Sequence, residues 1–119
     1  MYSNRPSSPL SKEEKMTIFS KNGFLEYRFA PGGTVEIVDI QVARKGRGIG
    51  KKLVKLLEKK ARGMTIYCFC REENLRGQKF YESLGFRRTA LLESFYTMNE
   101  SLEFGRRSGN AFLFVKRFQ

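Results

Sequence analysis

The chain has 119 residues, a formal net charge of +11, no histidine and two cysteines. That length suits one domain with one modest core, and the positive balance favours a polyanionic partner: a phosphorylated cofactor, a nucleic acid or an acidic protein. No apolar run approaches the roughly 20 residues that span a bilayer, and two cysteines without histidine do not complete a zinc site.

Residues 1–12 carry two of the three prolines, four serines and little apolar content. They read as a loose tail ahead of one domain over residues 13–119. No signal-peptide apolar region opens the chain, so a cytoplasmic location is expected. Residues 15–20 predict a short strand, Lys21-Asn22-Gly23 a hairpin turn, and residues 24–30 a second strand. Pro31-Gly32-Gly33 is a strong turn signal. Residues 34–42 are mostly β-branched or apolar and predict a third strand, central in its sheet.

A helix is expected over residues 48–62, with Ile49, Leu53, Leu56, Leu57 and Ala61 on one face and five lysines on the others. Lys59, Lys60 and Arg62 complement its C-terminal dipole, and Gly63 is a natural stop. Residues 64–70 predict a short apolar strand on which Cys68 and Cys70 point the same way, as buried reduced thiols. A second helix is expected over 72–84, with Glu72 and Glu73 in its first turn and Gly85 at its end. Residues 86–96 predict another strand, 97–110 a polar loop, and 111–118 a last strand. No internal repeat is present. The order, three strands, helix, strand, helix, two strands, is an α/β mixture with a right-handed crossover through the first helix.

The most informative stretch is Arg44-Lys45-Gly46-Arg47-Gly48-Ile49-Gly50-Lys51-Lys52. A strand feeding a glycine turn at a helix N-terminus makes an anion cradle. Glycine lets backbone N–H groups approach a phosphate, and the helix dipole adds positive charge at the same point. From Ile40 to Leu57 there is no Asp or Glu, so this helix start supplies no acid of its own. Two common phosphate fingerprints fail. The P-loop needs Gly-Lys followed by Ser or Thr, but Lys52 follows Gly50-Lys51. The dinucleotide pattern G-x-G-x-x-G fails because the third glycine arrives one residue early, at Gly50.

Residues 38–53 resemble motif A of the GNAT superfamily, the acyl-CoA-dependent N-acyltransferases, whose pattern Gln/Arg-x-x-Gly-x-Gly/Ala begins here at Lys45. Residues 74–86 resemble motif B: Asn74, then a small residue at Gly77, then Phe80-Tyr81 and Gly85-Phe86. Lys45 departs from the usual Gln or Arg, and Gly77 from the usual Ala. The motifs stand one helix and one strand apart and together cover roughly residues 34–88.

The resemblance implies a GNAT-like fold: a mixed, mostly antiparallel sheet of about six strands with two main helices, splayed between the motif A strand and the strand after it. It implies acetyl-CoA as cosubstrate. Lys45, Gly46, Arg47, Gly48, Ile49, Gly50 and Lys51 would hold the pyrophosphate. Ile40, Gln41 and Val42 would pair with the pantetheine amides, and backbone N–H groups near Ile40 would polarise the thioester carbonyl. Asn74 and Tyr81 would also contact the cofactor, and Tyr81 matches the family position that protonates the leaving thiolate. The implied activity is acetyl transfer to a primary amine by direct attack in a ternary complex.

The amine must be neutral to attack, so a base is expected. Some family members place a Glu near the end of the strand before motif B, but Phe69 stands there. On the motif A strand, Glu36 shares the alternation parity of Ile40 and is the candidate, whereas Asp39 has the opposite parity. The family normally has a strand and two helices before the region matching 15–20, and they wall the acceptor site. Their place here is taken by a short tail. The acceptor site is therefore expected to be open to a protein, peptide or other amine, or completed by a second copy in a homodimer. Residues 97–110 are a further candidate wall. Two other readings fit the same residues: a CoA-binding module without turnover, and a basic nucleic-acid-binding domain.

Overall fold

A computed structural model describes residues 15–44, 46–95 and 109–117 of the chain. The expected tail and most of the expected loop at 97–110 lie outside the described residues. Three strands come first, β1 (Met16–Ser20), β2 (Gly23–Ala30) and β3 (Thr34–Val42). Then come α1 (Ile49–Lys60), β4 (Thr65–Arg71), α2 (Leu75–Ser83), β5 (Arg87–Leu92) and β6 (Ala111–Lys116). The strands form one sheet in the order β1-β2-β3-β4-β6-β5. Only β3 and β4 run parallel; every other pair is antiparallel. This is the expected architecture, with the motif A strand at the centre.

The helices pack on one face of the sheet. Leu25, Ile37, Ile66, Cys68 and Phe114 from that face, Leu53, Val54 and Leu57 from α1, and Tyr81 from α2 belong to one buried cluster. Lys116 fastens the three parts together: its Nζ donates to Glu58 Oε2 on α1 at 2.9 Å and to the Leu84 carbonyl at the end of α2 at 2.6 Å. Both helices end near the glycines that the sequence marks, Gly63 and Gly85, which take φ of 81° and 94°. At its other end α2 differs from expectation. It starts at Leu75, and no acid lies in its first turn. Glu72 and Glu73 precede it, and Glu72 Oε1 instead accepts from Asn110 Nδ2 at 3.2 Å, tying the turn after β4 to the start of β6.

One irregularity shapes the centre of the sheet. Nine residues of β3 stand against eight of β2: Glu26 pairs with Asp39 and Tyr27 with Ile37, so the register skips Val38. A bulge of this kind bends the strand and reverses its alternation downstream. Ile37 and Ile40 therefore both belong to the helix-bearing face, whereas Glu36, paired with Arg28, and Asp39, paired with Glu26, share the opposite face. The parity that links Glu36 to Ile40 in the sequence is thus overturned. The parallel pairing of β3 with β4 also stops here, running from Thr34↔Thr65 to Ile37↔Cys68 and no further. Beyond Val38 the two central strands part. No helix among the described residues is long and apolar enough to cross a membrane.

Candidate active site

The parted strands open a cleft of about 660 Å³. Its walls are the end of β3 (Asp39, Ile40, Gln41, Val42), the end of β4 (Phe69, Cys70, Arg71) and the side of α2 from Asn74 to Leu84. Its far end is the glycine turn and the first residues of α1: Gly46, Gly48, Ile49, Gly50 and Lys51. Ten of the residues to which the sequence gives a cofactor contact thus line one cavity, Asn74 and Tyr81 included. Arg47 faces an adjoining depression instead, and Lys45 lies outside the described residues.

The glycine turn has the backbone of an anion cradle. Gly46 and Gly48 take φ of 80° and 73°, with Arg47 between them at negative φ. Alternating handedness of this kind turns successive N–H groups toward one point. Gly48 is the N-cap of α1, so no side chain caps the helix, and its first turn holds no acid. The first helical bond runs from Lys52 N–H to the Gly48 carbonyl at 3.0 Å. The amides before Lys52 are the orphan donors that every helix start leaves, and here they border the cleft. Gly50 serves a different need: a Cβ there would lie 3.0 Å from the Phe80 ring. The missing side chain lets α2 close against the start of α1, which makes the floor of the cleft.

Tyr81 stands on the helix face, buried among Phe80, Phe86 and Phe114 with ring centroids 5.2, 5.5 and 5.9 Å away. Its phenol interacts with the Cys68 thiol, and burial raises its pKa well above the ordinary value. The hydroxyl therefore keeps its proton throughout the neutral range and serves as a donor. Burial likewise pushes the Cys68 thiol up and the Cys70 thiol to about 12. Neither cysteine is a thiolate at neutral pH, so neither offers a nucleophile for an acyl-cysteine intermediate. Both are free, as expected.

Glu36, the carboxylate singled out from the sequence, does not line the cleft. It is fully buried, and its Oε1 accepts from Arg28 Nε at 3.1 Å. The reason is its place on β3: Glu36 still pairs with Tyr67 of β4, ahead of the point where the two strands part. Asp39 takes the place at the cleft instead. It is 7% exposed, and burial raises its carboxyl pKa above the ordinary 3.8. Gln41, whose Nε2 donates to Asp39 Oδ2 at 3.5 Å, and the Ile40 amide oppose that rise, while Glu26 across the strand pair adds to it. Phe69 extends the wall beside it, stacked on Phe95 at 4.5 Å and edge-on to Tyr67 at 5.8 Å. Sequence reasoning also passed over Arg71, a buried guanidinium at the end of β4. Its signal was its position, at the tip of the strand that parts from motif A.

Asn74 has a structural duty as well. Its Oδ1 accepts the Gly77 N–H at 2.9 Å and caps α2. A Cβ on residue 77 would lie 2.5 Å from Asn74 Nδ2 and 3.1 Å from Cys70 Sγ. Glycine in place of the usual alanine is therefore matched to this cap.

Residues 17–86 match the family model described as the acetyltransferase (GNAT) family. The chain belongs to that family. Among GNAT relatives it is similar to the N-alpha-acetyltransferase RimI of Mycobacterium tuberculosis, 34% identical over 65 residues, which is 55% of this chain and 41% of the relative. The chain thus spans less than half the length of that curated relative. The GNAT fold is shared with the ribosomal-protein-S18-alanine N-acetyltransferase of Escherichia coli at TM-score 0.69 and 18% identity, covering 92% of this chain and 72% of that one. It is shared too with Arabidopsis thaliana NAA60, solved in complex with acetyl-CoA, at TM-score 0.64 and 20% identity, covering 81% and 65%.

Proposed function

We propose that the chain is an acetyl-CoA-dependent N-acetyltransferase acting on a primary amine. The observation that carries this is the uncapped, acid-free start of α1, with its two left-handed glycines, at the foot of parted central strands. A pyrophosphate fits that cradle, because the cradle presents backbone donors and no competing carboxylate. Ile40, Gln41 and Val42 offer main-chain partners to a pantetheine arm lying along β3. The thioester supplies an activated acyl group. The chain's residues supply the rest: backbone N–H groups near Ile40 meet the carbonyl oxygen as negative charge develops there, and Tyr81 gives its proton to the departing thiolate.

Asp39 rather than Glu36 is the proton acceptor in this reading, since it borders the cleft and its carboxyl is raised by burial. A carboxylate is a weak base for an ammonium of pKa near 10.4, but an α-amino group near 7.8 is already about one-seventh neutral at pH 7. An α-amino terminus is therefore the acceptor class that the site suits best, and the likeness to the mycobacterial N-alpha-acetyltransferase supports it. The acceptor enters from the sheet face that carries neither described helix. A second copy completing that face and a cytoplasmic location complete the reading.

The test is thiol release from acetyl-CoA over a panel of peptides with free α-amines, lysine side chains and small amines. Release with α-amines, reduced at least tenfold in Tyr81→Phe and Asp39→Asn, supports the proposal. Tight CoA binding without turnover on any amine would make the chain a binding module instead.

A further inference from the structure

Beside the cleft lies a second depression of about 540 Å³, lined by Lys21, Asn22, Arg44, Arg47 and Ile49. It adjoins the cleft, since Arg44 and Ile49 line both. It is built from two separate parts of the chain, the β1–β2 turn and the loop before α1. The Ala43 N–H donates to the Asn22 carbonyl at 2.7 Å and holds the two together. Three cations line it and no acid does. Like charges gathered on one small surface repel one another, and a bound anion relieves that repulsion.

We propose that this depression takes the ribose 3′-phosphate of the acyl-CoA cosubstrate. The inference rests on the cofactor reading above and adds a second anion site to it. In coenzyme A the 3′-phosphate is one ribose away from the pyrophosphate. A cofactor whose pyrophosphate lies on the Gly46–Gly48 nest meets this basic depression across Arg44. A phosphate monoester carries about −1.5 to −2 charge at pH 7, which suits three cations better than a single diester of a nucleic-acid backbone. The site explains why Arg47 turns away from the cleft while its glycine neighbours line it. It also gives Lys21, remote in sequence from either motif, a role in cofactor choice.

The experiment is calorimetric titration of the full chain with CoA and with 3′-dephospho-CoA, in the wild type, Lys21→Ala and Arg76→Ala. Arg76 lines the opposite side of the cleft on α2 and is the rival cation. The expected result is that CoA binds the wild type about tenfold more tightly than the dephospho form, the scale of a charge-assisted contact. Lys21→Ala then erases most of that preference by weakening CoA alone, and Arg76→Ala leaves the preference in place. Equal affinities in the wild type overturn the second site and leave the cofactor reading intact. A preference that survives Lys21→Ala and disappears in Arg76→Ala overturns it too, by moving the phosphate to α2. Binding of neither compound means that the cofactor reading itself has failed. A single-stranded oligonucleotide whose affinity falls in Lys21→Ala, with the preference for CoA unchanged, assigns the depression to nucleic acid and overturns the proposal.

Discussion

The two helices begin in opposite ways. α2 is closed by its own chain: Asn74 Oδ1 takes the Gly77 N–H, and Gly77 has no side chain to disturb that bond. α1 starts at a left-handed glycine with no side-chain cap and no acid in its first turn. A missing cap usually costs about 1 kcal/mol, so a helix start left open at a cavity suggests a partner from outside. The difference divides the labour of the site. In the proposed function the start of α1 is left for the cofactor, whereas α2 is a finished element that brings Tyr81 to the cleft.

That division can be broken from either side. The largest effect is expected at Tyr81. Tyr81→Phe lowers kcat about a hundredfold, within the usual range for a general acid, and leaves the CoA dissociation constant near its wild-type value. A loss of CoA affinity with kcat unchanged would show that Tyr81 contacts the cofactor without donating the proton.

Next comes an attempt to give α1 the self-sufficiency of α2. Gly48→Asp places a carboxylate where the pyrophosphate is proposed to lie and weakens CoA binding about thirtyfold, the loss of one charged hydrogen-bond set. Gly48→Ala carries at least as much left-handed strain without the charge. If titration finds the two variants equally impaired, the electrostatic argument for α1 is wrong.

The converse change removes the cap from α2. Asn74→Ala costs about 1 kcal/mol of stability, a fall in Tm of roughly 4 °C for a domain of this size, with a smaller loss of CoA affinity than Gly48→Asp, since Asn74 also lines the cleft. Gly77→Ala sharpens the same point. Propensity alone predicts a gain of about 0.8 kcal/mol. The approach of its Cβ to within 2.5 Å of Asn74 Nδ2 predicts that thermal melts show a loss.

The smallest effect concerns the sign of a pH dependence. The Asp39 carboxyl is raised in the fold above its ordinary 3.8, so the folded chain binds that proton more tightly than the unfolded chain. Stability from this group therefore falls as pH rises from the ordinary value through the folded one, and the penalty persists above it. Asp39→Asn removes the penalty. It raises Tm at pH 7 and gives no advantage below about pH 3.8, where both states are protonated. A variant less stable than the wild type at pH 7 would contradict the burial argument.

The strands, the helices and their order along the chain were legible because they follow local rules. The β-branched run of β3, the apolar face of α1 and the glycine stops at Gly63 and Gly85 each record a backbone preference of the residue itself. The boundaries of α2 were less legible, since Glu72 and Glu73 look like first-turn acids and instead precede an Asn cap. The glycine turn was legible as an acid-free helix start, and most of the residues assigned to the cofactor line one cleft. The carboxylate was not. Alternation read along residues 34–42 favours Glu36, and nothing in that apolar run marks Val38 as the residue where alternation reverses.

The sequence by itself determined how α1 begins, because positive φ and an acid-free turn are written in the residue types from Gly46 to Lys52. Tertiary structure alone decided which carboxylate borders the cleft. Pairing is fixed at both ends of β2 and β3, Ala30↔Thr34 beside the turn and Gly23↔Val42 at the other end. Nine residues must then fit against eight, and the surplus residue is absorbed as a bulge. Its position depends on how the strands pack rather than on any one side chain. The pairing of β3 with β4 ends beside that skipped residue, so Glu36 stays between paired strands against Arg28 while Asp39 stands beside the cleft.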